Sequence, residues 1–127
     1  MTEYAEDIVV DKRDQLEKIK SVCLPDEIIR AVFGLKGRRT GFIGITDKRI
    51  IYYDKGFLKA KKALLSIPYA RIASVSSKDN KGLFKKGFFV TDTLTIQLVG
   101  SEPKTFEFRG GDKAHIAHNL IMEHLLR

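Results

Sequence analysis

The sequence holds one cysteine, Cys23, only three prolines, and no long hydrophobic run in its 127 residues. A lone thiol excludes an internal disulfide and any zinc site built from several cysteines. No apolar stretch approaches the ~20 residues that a membrane-spanning helix needs. The opening residues, Met1-Thr2-Glu3-Tyr4-Ala5-Glu6-Asp7, are acidic where an export signal would be basic and then apolar. A cytoplasmic protein is therefore expected. Also missing are a Gly-x-Ser-x-Gly elbow, a phosphate-cradling loop ending in Lys-Ser/Thr, and His-Glu-x-x-His. At 43% hydrophobic and 31% charged residues, the chain has the composition of a single folded domain.

Acidic residues are scarce in one place. Residues 1–54 balance ten Lys/Arg against ten Asp/Glu, and residues 87–127 hold four against five. Residues 55–86 hold nine (Lys55, Lys59, Lys61, Lys62, Arg71, Lys78, Lys81, Lys85, Lys86) against Asp79 alone. The whole excess of +7 thus arises in the middle quarter of the chain. A clustered excess attracts anionic partners over a Debye length of about 8 Å.

What is present is strand-forming sequence around short turns. Phe42-Ile43-Gly44-Ile45 and Ile50-Ile51-Tyr52-Tyr53 flank the polar corner Thr46-Asp47-Lys48-Arg49, a β-hairpin pattern. In the corner, Asp47 suits a turn by bonding local backbone, and Arg49 is expected to pair rather than catalyse. Further strands are expected over 28–35, 64–69, 72–76, 88–98 and 105–108. In the 88–98 run, Leu94, Ile96 and Leu98 alternate. An N-terminal helix over 6–22 is expected from Ile8, Leu16, Ile19 and Val22, ended by Pro25. A C-terminal helix follows Gly110-Gly111, with Asp112 as its N-cap and Ala117, Leu120, Ile121, His124 and Leu125 on its apolar face. Short strands near ten-residue spacing plus one amphipathic helix predict a small antiparallel barrel with a helix over its open end.

This order of elements resembles the bacterial pleckstrin-homology-like (PH-like) domain family. The likeness is carried by the 41–52 hairpin, by Ile67-Pro68-Tyr69-Ala70-Arg71-Ile72-Ala73-Ser74-Val75, and by Phe106-Glu107-Phe108 followed by a helix. The resemblance implies a mainly β (α+β) fold: a PH-like antiparallel barrel of about seven strands capped by a C-terminal helix. It spans residues 26–127, with residues 1–25 as an added amphipathic helix. It implies an interaction scaffold rather than a reaction, since such domains mostly bind proteins, peptides or phosphoinositide head groups and some self-associate. Lys36, Arg38 and Arg39 form a secondary basic loop after the first barrel strand. That loop is very short for a deep head-group pocket.

Catalytic and metal chemistry find no complete set of residues. His115, His118 and His124 all fall in the last helix, and the His115–His118 spacing lacks an acid or cysteine to finish a metal site. Cys23 has no histidine near it in sequence and reads as a buried filler. Neither an enzyme, a metal nor a cofactor is expected. Two loops instead repeat one arrangement: Phe57-Leu58 among Lys55, Lys59, Lys61 and Lys62, and Leu83-Phe84 among Lys81, Lys85 and Lys86. Such loops can pack against another copy or another protein, insert into anionic membrane, or close the barrel ends. A protein partner, with a homo-oligomer foremost, is the expectation; an anionic membrane surface is the alternative. A pI near 9.6 permits nucleic acid, but the cations are nearly all lysine, whereas base recognition favours arginine. Nucleic acid is not the expected partner.

Overall fold

A computed structural model describes residues 3–36, 41–54, 63–79, 91–109 and 112–126. The chain divides into two compact units, Met1–Tyr69 and Ala70–Arg127.

The first unit is a five-stranded sheet with one helix. Its elements are β1 (Glu3–Val10), α1 (Arg13–Val22), β2 (Ile28–Gly34), β3 (Phe42–Thr46), β4 (Arg49–Asp54) and β5 (Ala63–Pro68), and the sheet order is β1-β2-β3-β4-β5. The expected hairpin is β3–β4, paired Ile45 to Ile50, Gly44 to Ile51, Ile43 to Tyr52 and Phe42 to Tyr53. One face of this sheet carries Ile29, Val32, Phe42, Ile51 and Tyr53, and α1 packs Leu16 and Ile19 into the same cluster. Ala31, Phe33, Ile43, Ile45 and Ile50 lie on the other face, each fully buried. Burial on both sides explains why β3 and β4 read as continuous apolar runs without polar alternation.

The N-terminal helix departs from expectation. It begins at Arg13, and residues 3–10 form a strand that pairs parallel with β2. Ile8, Val9 and Val10 belong to that strand, where β-branched side chains are favoured over a helix. The unit therefore opens with a parallel β1–α1–β2 crossover, since parallel neighbours need a connection long enough to return the chain. Asp11 fastens the end of β1: its N–H donates to Val32 O at 3.0 Å, and its carboxylate accepts from Gly34 N at 3.0 Å. The sheet is thus mixed rather than wholly antiparallel.

In the second unit β6 (Ile72–Asp79), β7 (Thr91–Leu98) and β8 (Lys104–Arg109) form an antiparallel sheet in that order. A 3₁₀ turn, Tyr69–Arg71, precedes β6. The helix α2 (Lys113–Leu125) packs on all three strands. Leu94, Ile96, Phe106 and Phe108 meet Ala114, Ala117 and Ile121 as a buried core. The helix's buried face is centred on Ala114, Ala117 and Ile121, a step toward its N-terminus from the expected one. Asp112 stands at the N-cap position with φ 69° and makes no side-chain cap hydrogen bond. Its left-handed backbone differs from the extended geometry that aims an N-cap side chain at the first amides. Its carbonyl still accepts from Ile116 N at 3.0 Å.

Candidate functional site

The polar corner of the β3–β4 hairpin holds the densest network of side-chain bonds among the described residues. Glu27, at the entry to β2, is completely buried. Its Oε2 accepts from Arg49 Nε at 2.9 Å and from Thr46 Oγ1 at 2.6 Å, and its Oε1 from Arg49 Nη2 at 3.0 Å and Leu24 N at 2.9 Å. Burial pushes the Glu27 carboxyl upward, but the Arg49 and Thr46 hydrogen bonds outweigh it and hold it below its usual range. Arg49 also donates from Nη2 to Val22 O at 3.0 Å and from Nη1 to Ser66 Oγ at 2.8 Å. One guanidinium thus joins the end of α1, the start of β2 and the edge strand β5.

Asp47 accepts from Ile28 N at 2.8 Å, and its own N–H donates to Ile28 O at 2.9 Å. This is a long-range pairing rather than the local turn bond expected from its position. Tyr69 donates its hydroxyl to Thr46 O at 2.6 Å, and burial raises its phenol further above its ordinary range. The hydrogen bonds of this arrangement run between protein groups around the buried Glu27 carboxylate. It is a structural lock, and Arg49 pairs as the sequence suggested. Cys23 sits beside it, half-buried; desolvation first, then the adjoining Glu27 carboxylate, pushes its thiol up to about 12. Such a thiol has almost no thiolate at neutral pH and is a poor nucleophile.

The histidines engage each other. The His115 and His118 rings stack with centroids 6.2 Å apart, and Asn119 contacts both, through His118 Nδ1 at 3.0 Å and His115 Nε2 at 3.3 Å. Among the described residues no group of three or more His, Cys, Asp or Glu could hold a metal ion. No helix among them is long and apolar enough to cross a membrane.

Most of the surface expected to bind lies outside the described residues: Lys55, Phe57, Leu58, Lys59, Lys61, Lys62, Lys81, Leu83, Phe84, Lys85 and Lys86, together with Arg38 and Arg39 of the basic loop. Lys36, half-buried, lies two residues beyond the end of β2. Of the basic middle stretch, Arg71 and Lys78 are described, and both are exposed. The strands next to these loops carry two features that sequence reading missed. Leu64 and Leu65, at the start of edge strand β5, are 48% and 37% exposed. In the second unit a groove of about 380 Å³ lies between residues 72–75 of β6 and His118, Met122 and Leu125 of α2 with Leu126 at the helix's C-cap. Leucines in a strand pattern gave the only sequence signal for the first. The second had none, because its two walls are far apart in the chain.

A family model described as bacterial PH domain matches residues 17–123, and the chain belongs to that family. It is similar to the uncharacterized protein YozO of Bacillus subtilis (strain 168), 24% identical over 116 residues that cover 91% of this chain and 94% of that one. Among solved structures it resembles the pleckstrin homology domain from Shewanella amazonensis SB2B, with a TM-score of 0.66 and 21% identity, covering 92% of this chain and all of the other. A DUF1696-family protein with a pleckstrin-homology domain from Shewanella loihica PV-4 gives a TM-score of 0.66 at 19% identity, covering 88% and 92%. The fold is PH-like, mostly strand with an N-terminal and a C-terminal helix, as the hairpin and the final strand–helix pair led one to expect. PH-like domains are in general non-catalytic interaction modules, and this fold supports a role of that kind.

Proposed function

We propose that this chain is a non-enzymatic, cytoplasmic protein-interaction module that associates with copies of itself. The observation that carries this reading is the exposed Leu64-Leu65 pair on edge strand β5. Neighbouring strand residues point to opposite faces, so exposure of both leaves the start of this strand open on its two faces, and β5 is the last strand of its sheet among the described residues. An uncovered apolar edge is a template for pairing with another strand, and proteins that do not use one blunt it with lysine or proline. Within β5, residues 63–67 include no lysine and Pro68 stands only at the strand's end, while Lys55, Phe57, Leu58, Lys59, Lys61 and Lys62 precede the strand in sequence. These residues, with Lys81, Leu83, Phe84, Lys85 and Lys86, make up the proposed interaction surface.

Light scattering of the purified chain tests this. An oligomer that becomes monomeric in Leu64→Lys/Leu65→Lys supports the reading; a monomer at high micromolar concentration overturns it. A second reading, attachment to anionic membrane, draws on the +8 balance of residues 55–86. Sedimentation with vesicles containing phosphatidylserine, but not with neutral ones, would favour it over self-association.

A further inference from the structure

We infer that His115, His118 and Asn119 on α2 form a binding site for one divalent cation of the zinc, nickel and copper group. Residues three and four apart on a helix share a face, so these three side chains meet across one turn. His115 Nε2 and His118 Nδ1 both face the Asn119 amide, at 3.3 Å from its nitrogen and 3.0 Å from its oxygen. Two imidazole nitrogens thus converge on one small polar group. Their rings lie within 5° of parallel, with centroids 6.2 Å apart. Two imidazoles on one tetrahedral zinc, each nitrogen about 2.0–2.1 Å from it, hold their ring centres about 5 Å apart. Closing this pair onto a single ion therefore takes about 1 Å of side-chain movement. His115 and Asn119 are exposed and His118 is half-buried, so the rings have room to turn and the ion a path from solvent.

The His115–His118 spacing by itself lacks a third ligand, and the structure supplies one in the Asn119 carboxamide. Once the amide swings aside, its oxygen joins the two nitrogens and water completes the coordination, as at zinc sites that keep an open position. Imidazole nitrogen selects zinc, copper and nickel, whereas magnesium and calcium take oxygen ligands. A neutral imidazole bears its proton on either nitrogen, so both facing nitrogens can present lone pairs. Local charge also favours a cation. Asp112 stands three residues before His115 and Glu123 four after Asn119, both exposed and at spacings that share a face. Lys113 is two residues from His115, a spacing at which side chains do not face each other. The site lies wholly on α2 and is separate from the β5 edge proposed for self-association, so the two readings can fail independently.

The test is a titration of zinc chloride into the tag-free chain, followed by calorimetry and by the NMR signals of the histidine rings. The chain has three histidines, so His124 serves as an internal control. We expect one zinc per chain, shifts of the His115 and His118 rings with His124 unmoved, and no response to magnesium chloride. His115→Ala, at an exposed position, should weaken binding at least about tenfold, the smallest loss usual when even a partner supporting a metal ligand is removed. Asn119→Asp places a full charge on the third donor and should tighten binding about tenfold, while Asn119→Ala should weaken it. The inference is overturned if the His115 and His118 rings stay still, if His115→Ala binds as well as the parent, or if Asn119→Asp binds no tighter. It is equally overturned if one zinc binds per two chains with a doubled scattering mass, because a second copy would then supply the missing ligands.

Discussion

The Glu27 carboxylate receives the Arg49 guanidinium by two hydrogen bonds, Nε to Oε2 at 2.9 Å and Nη2 to Oε1 at 3.0 Å, with the carboxylate wholly out of solvent and the Arg49 side chain 19% exposed. A pair of this kind contributes little over a well-packed apolar pair, but breaking it strands a charge. Arg49→Ala is expected to cost about 3–5 kcal/mol. Glu27→Met/Arg49→Met should retain more stability than Arg49→Ala alone. Urea unfolding of the three chains checks this order; a single variant as stable as the double would refute it.

The same contact sets an acid response. The Glu27 carboxyl is lowered in the folded chain, so its contribution to stability is fully present above its ordinary value of 4.5 and lost as pH falls through the depressed folded value. Between pH 7 and about 5, Glu27 should add no pH dependence. Below that window the native chain should lose stability more steeply than Glu27→Gln, which has no carboxyl to protonate. Denaturant midpoints measured from neutral pH to about pH 3 test this, and parallel curves would contradict it.

Gly44 is where α1 meets the sheet. A Cβ added there would lie 2.8 Å from Ile19 Cγ2 and 3.0 Å from Cδ1. Both residues are enclosed, so Gly44→Ala should cost about 1–3 kcal/mol by overpacking. Ile19→Ala alone should also destabilise, by about 2–5 kcal/mol. Combined, the two changes should cost less than their sum, because the smaller side chain vacates the space the new methyl needs. Additive losses in thermal or urea unfolding would show that the helix does not bear on the sheet at this point.

Cys23, with its thiol raised to about 12, should react slowly with iodoacetamide at pH 8. Unfolding in denaturant returns the thiol to near its ordinary value of 9.0 and should speed alkylation. Glu27→Gln should accelerate the folded chain's reaction as well, since it removes a negative charge that helps to raise the thiol. Equal rates in folded and denatured chains would disprove the placement.

These relationships divide sharply in how visible they were beforehand. The seven strands from β2 to β8 could be read because each is a short β-branched or aromatic run bounded by a turn signal. The β3–β4 corner marked both the fold and the right arginine. β1 was hidden: its partner β2 lies beyond a whole helix, and Ile8 happens to fall in step with the helical face of Leu16 and Ile19. Glu27 was hidden for a related reason. Following Pro25-Asp26 it looks like one more solvent-facing turn acid, and only its partner 22 residues away makes it a core residue. Asp47 likewise exchanges two hydrogen bonds with Ile28 across the sheet, one through its carboxylate and one through its own N–H, over a sequence distance that no local turn rule covers. The basic middle stretch was plain as composition. That a strand it borders carries two open leucines came only with the structure.

The parallel pairing of β1 with β2 bears on how the chain is made. A ribosome releases β1 before β2, its sheet neighbour among the described residues, has been translated, and α1 and the Pro25 turn come between them. The β3–β4 hairpin, by contrast, has both halves available almost at once. Translation order and sheet order therefore run against each other here, and β1 must wait for β2 to follow before the two can pair.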